Sequence, residues 1–215
     1  MVLGAGAALA VSPDCAFDAL RYHLDRPVQV ESTAAMLLHG LDGAGLGEAT
    51  GVESHRSHGL MHALDGPVAA LLGLMLAAVV WVLAASVARP CPGDPALGRR
   101  RLVLAALAAV TAFAVLGNVL SPQFVIWVLP LGALAFAWRM HALALTVLAA
   151  AVLTQVEFPA HYFDVVAREP LALALVAVRD AMLLAVLGLS VRALRLERKQ
   201  QLFDARRTAL AVRVD

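Results

Sequence analysis

The sequence predicts an all-α, polytopic integral membrane protein, with about five complete transmembrane helices, a truncated N-terminal helix and amphipathic helices on the outer surface. Three observations carry this reading. The 215-residue chain is 61% hydrophobic with a mean hydropathy of +0.79, values that belong to the membrane class. Five apolar stretches approach the roughly 20 residues needed to cross a hydrocarbon core about 30 Å thick. Basic and acidic residues also alternate from one connection to the next, as the positive-inside rule requires.

The stretches are Pro67–Ala88, Leu102–Leu120, Pro122–Trp138, His141–Val156 and Leu171–Leu194. The fourth is short, so it spans with less tilt or extends into its flanks. Arg89 and Arg99–Arg101 flank the first connection, Arg139 marks the third, and the tail holds Arg192, Arg195, Arg198, Lys199, Arg206, Arg207 and Arg213. The segment before Pro67 instead carries eight acidic residues against three arginines, and Glu157–Pro170 holds Glu157, Asp164 and Glu169 against Arg168. Acidic loops therefore face outside, and the arginine loops and C-terminus face the cytoplasm. Sixteen of the seventeen basic residues are Arg, and Ala and Leu dominate the apolar positions, a bias typical of GC-rich bacterial genomes. The expected location is the bacterial cell membrane. On this map Cys15 and Cys91 lie on opposite sides and cannot pair.

The organisation that follows is a membrane-helix fragment over 1–11, an extracytoplasmic segment with short interfacial helices over 12–66, five spans over 67–194 and a basic cytoplasmic tail over 195–215. Met1–Val11 is apolar, but about 11 residues at 1.5 Å each cover only half a bilayer. It lacks the positive n-region of a signal peptide. It reads as the outer end of a helix that starts upstream; a short uncleaved anchor or an unusual signal sequence are the alternatives.

Within 12–66, Asp14–Asp25 and Ser32–Leu41 each suit a short helix lying apolar face down on the outer surface, with Pro27 breaking between them. The break concentrates Arg21, Tyr22, His23, Asp25, Arg26, Gln29 and Glu31 in an otherwise oily chain. Ionisable groups beside a bilayer are costly unless they bind water, each other or a ligand. Arg21 and Arg26 suit a phosphate, because guanidinium binds phosphoryl oxygens bidentately. Asp25, Gln29 and Glu31 suit sugar hydroxyls or the orienting of those arginines. An internal salt-bridge network tying two helices together accounts for the same residues.

Three further features fall outside that cluster. Asn118–Phe124 lies at the outer end of two consecutive spans, with Pro122 preorganised for a helix start and Ser121 as its N-cap. Gln123 and Asn118 then face the same outer compartment as the arginine cluster, although as a pure turn the segment needs no function. Arg179–Asp180 sits within the last span, either as a self-neutralising ion pair or as an intramembrane site. His55, His58 and His62 share a helical spacing that suits zinc, but their Gly- and Ser-rich surroundings offer no fixed support. No phosphate loop, nucleophile elbow or zinc motif is present, and nothing suggests nucleic-acid binding.

The segments Arg21–Ser32 (RYHLDRPVQVES), Asn118–Leu131 (NVLSPQFVIWVLPL) and Glu169–Met182 (EPLALALVAVRDAM) resemble, in that order, the C-terminal half of glycosyltransferase family 87. These are GT-C membrane enzymes, similar to polyprenol-phosphate-mannose-dependent mannosyltransferases of actinobacteria. The resemblance covers roughly residues 10 to 195. It implies transfer of a hexose, mannose first among them, from a polyprenyl-phosphate donor to a glycolipid or glycan acceptor on the outer face, without metal or cofactor. It implies substrate contacts at Arg21, Tyr22, His23, Asp25, Arg26, Gln29, Glu31, Ser121, Gln123 and Arg179. The family's general base, an Asp of the first outer loop, belongs to the region before the match. The chain is therefore expected to be a partial protein that needs upstream helices or a partner chain. The alternative is a non-catalytic membrane protein binding lipid phosphate, either a flippase-like subunit or a degenerate remnant.

Overall fold

A computed structural model of the chain describes residues 12–88 and 95–211. The expected helix fragment 1–11, Cys91 and the end of the tail lie outside the described residues, as do the side chains of His23 and of the tail from Lys199 onward.

The chain is mostly helical, and both short helices expected before Pro67 form, but a three-stranded sheet that was not expected is built around them. Helix α1 (Pro13–Leu24) leads into a short strand β1 (Val28–Gln29), then α2 (Thr33–Gly43). Strands β2 (Thr50–Ser54) and β3 (Ser57–Met61) follow, and the three strands form an antiparallel sheet in the order β1-β3-β2. Val28 pairs with Leu60 and Gln29 with Gly59, so Pro27, which cannot donate to a ladder, falls just before the first paired residue. Three of the expected histidines thus lie on or beside a hairpin rather than on a helical face. His55 sits in its turn, His58 on β3, and His62 beyond it, where its Nδ1 accepts the Leu64 N–H at 3.0 Å. Among the described residues no group of three metal-ligating side chains comes together.

Helix α2 is capped by Ser32, whose hydroxyl accepts the Ala35 N–H at 3.2 Å. Ala34, Ala35 and Leu38 are fully buried against Leu60 of the sheet and Leu72, Val115, Leu120 and Leu183 of the bundle, while Leu37 faces out. Small alanines let the helix approach its neighbours closely, so its apolar face packs into the bundle.

The bundle follows the five apolar stretches closely: α3 (Asp65–Val87), α4 (Pro95–Leu116), a 3-10 turn (Pro122–Phe124) running into α5 (Val125–Ala137), α6 (His141–Glu157) and α8 (Pro170–Ala211), with a short α7 (Tyr162–Val166) before the last. Helix α4 ends four residues earlier than the stretch. Beyond it the Asn118 carbonyl accepts the Gln29 N–H at 3.0 Å, which ties the chain to β1 instead of continuing the helix. A second core of Leu83, Leu104, Leu107, Val128, Leu143 and Val186 fills the other half of the bundle. There Arg100 meets Glu197 at 2.7 Å and stacks on Trp138, gathering the arginine-bearing ends of α4, α5 and α8.

Two helices, α3 and residues 170–198 of α8, are long and apolar enough to cross a membrane. Residues 122–137 and 141–157 are apolar but shorter. Helix α3 exposes Leu71, Leu74, Val80, Trp81 and Val82, a continuous apolar surface that water does not tolerate and lipid does. The chain carries the marks of a membrane protein.

Candidate functional site

At the acidic end of the bundle, a cavity of about 560 Å³ opens between the hairpin, the 3-10 turn and the start of α7. Its size is that of a small-molecule site. Arg26, Gln29 and Glu31 contribute from the first expected segment, and Ser121 and Gln123 from the second. Residues far apart in the chain therefore share one space. Glu53, Arg56, Ser57 and His58 of the hairpin, with Phe124, Phe158 and Tyr162, complete the walls.

The other members of the first segment go elsewhere. Arg21 pairs with Asp25 one helical turn away at 3.7 Å, with both side chains largely exposed, a pair of little energetic consequence. Asp25 faces a separate recess beside Pro27, Asp65 and Asn118. Tyr22 packs edge-on against His55, ring centres 4.6 Å apart, and its hydroxyl reaches the His55 carbonyl at 3.4 Å. Ser121 makes no capping bond to the 3-10 turn, which leaves its hydroxyl to the cavity. Arg26 Nη2 donates to Ser57 Oγ at 2.9 Å, anchoring it to β3, while its Nε is buried without a partner.

Behind the cavity floor lies a buried ionic network. Arg179 of α8 is fully buried and donates to Glu157 Oε2 at 2.9 Å, to Asp180 Oδ1 at 3.0 Å and to the Glu31 carbonyl. Thr33 donates to Asp180 Oδ2 at 3.1 Å. The expected self-contained Arg179–Asp180 pair is thus one edge of a cluster that joins α8 to the end of α6 and to the β1–α2 connection. Isolated charges are not tolerated in such surroundings, and each of these has partners. Arg179 is enclosed by this chain's own residues.

Glu31 links network and cavity. Gln29 Nε2 donates to its Oε2 at 2.9 Å. Burial first, then its hydrogen bond to Glu157 and that residue's charge, push the Glu31 carboxyl up to about 9. It therefore keeps its proton at neutral pH. Gln29, a residue only 7% exposed, lines the cavity, and its Oε1 is buried and makes no hydrogen bond among the described residues. Burial also raises Tyr162, so its hydroxyl stays neutral. The cavity thus has a polar amide at its floor, two guanidinium groups in its wall and aromatic rings on the far side. That combination suits a ligand that is both anionic and hydroxyl-rich.

A second groove of about 570 Å³ lies beyond α7, lined by Val156, Leu171, Ala172 and Leu175 with the His161–Asp164 pair and Glu169 at its polar side. No residue of the resemblance-derived site lines it except through its neighbours in sequence.

Comparison with protein-family models, with curated proteins and with solved structures finds no match.

Proposed function

We propose that this chain is a polytopic membrane protein of the GT-C glycosyltransferase type, related to family 87, that binds a polyprenyl-phosphate hexose at an extracytoplasmic site for transfer to a glycolipid or glycan acceptor. Five spans cross the bacterial cell membrane, with the acidic end of the bundle outside and the arginine-bearing end and C-terminus in the cytoplasm. The observation that carries the reading is the shared cavity. Arg26, Gln29, Glu31, Ser121 and Gln123, drawn from two of the three segments that resemble the family, line one space of ligand size, and Arg179 of the third braces its floor.

Arg26 is the better phosphate ligand of the two arginines considered, since Arg21 points away into solvent beside Asp25. In transfer, negative charge grows on the phosphate as the sugar C1–O bond breaks, and a fixed guanidinium stabilises it without reorganisation. Gln29 and Gln123 suit the sugar hydroxyls. Glu31 is unsuited to be the base, because it already holds a proton. That last point favours a second reading, a lipid-phosphate-binding subunit that performs no transfer itself.

Transfer of radiolabelled mannose from polyprenyl-phosphate mannose, in membranes containing the protein, separates the readings. Arg26→Ala is expected to lower transfer by about 10²-fold, the usual cost of removing one transition-state donor, while Arg21→Ala stays within about twofold. Donor binding without any transfer selects the second reading. Equal transfer by the wild type and Arg26→Ala removes Arg26 from the site.

A further inference from the structure

The β2–β3 hairpin turns through only two residues, His55 and Arg56, with φ of +52° and +57°. Two-residue hairpins of this kind take positive φ at both positions and therefore strongly prefer Asn-Gly. Neither histidine nor arginine is a natural occupant, so each needs a reason besides the turn. His55 has one: its Nδ1 meets Ser54 Oγ at 2.6 Å and its ring packs against Tyr22. Arg56 has no such reason within the fold. Its side chain is exposed, its guanidinium makes no hydrogen bond or ion pair among the described residues, and it lines the cavity that Arg26 also lines.

We infer that Arg56 is a second anion-binding group, which with Arg26 clamps the phosphodiester of a lipid-linked sugar. This rests on the lipid-phosphate-sugar reading of the cavity and sharpens it to a singly charged headgroup. The lining holds two guanidinium groups against the Glu53 carboxylate and the protonated Glu31, a formal balance of +1 that matches one phosphodiester charge. Arg56 adds reach at the rim, where Arg26, held by Ser57, cannot move.

The test uses the turn's own preference. Arg56→Gly and Arg56→Asn both remove the guanidinium and both suit positive φ, so neither should lower the unfolding temperature. Binding of a short-chain polyprenyl-phosphate mannose to the purified full chain is expected to weaken tenfold or more in each variant, and its salt dependence to become shallower. Binding within twofold of wild type in both variants, with Arg26→Ala still defective, overturns the inference and leaves the donor reading standing. Absence of binding by the wild type overturns the donor reading, and this inference with it.

Discussion

Replacing Arg179 with Met is expected to destabilise the protein by about 3–5 kcal/mol, the range for breaking a buried ion pair from one side. The substitution leaves the Glu157 and Asp180 carboxyl groups buried without their shared cation, and frees the Glu31 carbonyl that Arg179 also serves. Methionine has similar bulk, so the loss is electrostatic rather than a cavity. Thermal unfolding of the detergent-solubilised protein measures it. Adding Glu157→Gln to Arg179→Met should recover part of the loss, because one of the two stranded charges disappears. A single variant as stable as wild type would mean that the network is not held in this form.

Glu31→Gln is expected to change the sign of the stability difference with pH. In the folded protein Glu31 keeps its proton up to about pH 9, whereas its ordinary value is 4.5. Below the ordinary value both folded and unfolded states hold the proton, and the native state has its full advantage. As pH rises through this window only the unfolded chain ionises, so stability falls by at most about 1.4 kcal/mol per pH unit and levels off once the folded carboxyl also ionises. Glutamine cannot ionise, and it has nearly the same shape and volume. The variant should therefore match or fall below wild type near pH 5 and exceed it near pH 8. Unfolding temperatures of the two proteins across this range give the comparison, in which the histidines common to both cancel. Parallel curves would show that Glu31 is ionised when folded.

The helices were legible because apolar runs of 16 to 24 residues leave little else for the chain to form, and their ends agreed with the arginine clusters. The sheet was not. Thr50–Ser54 and Ser57–Met61 are short, rich in Gly, Ser and His, and joined by His-Arg where Asn-Gly is the recognisable hairpin signal. The same histidines, read at helical spacing, suggested a helix face that the hairpin replaces. The cavity was half legible. Arg26, Gln29 and Glu31 stood out by polarity, whereas Arg56, Glu53 and His58 arrive through the sheet and Phe158 and Tyr162 through the α6–α7 connection. Arg56 did carry a signal, as the lone basic residue between Arg26 and Arg89. Glu157 looked like an acidic loop residue, and only the packing of α6 against α8 reveals it as the partner of Arg179.

The most direct measurement is photo-cross-linking of a polyprenyl-phosphate sugar bearing a diazirine on the hexose, followed by mapping of the labelled peptides. The lipid-phosphate-sugar reading of the cavity predicts labels on the hairpin around residues 53–58, on 119–124 and on 158–162, competed away by unlabelled donor. Labels confined to the groove of Val156, Leu171 and Leu175, or spread along the exposed face of α3 without competition, would contradict it.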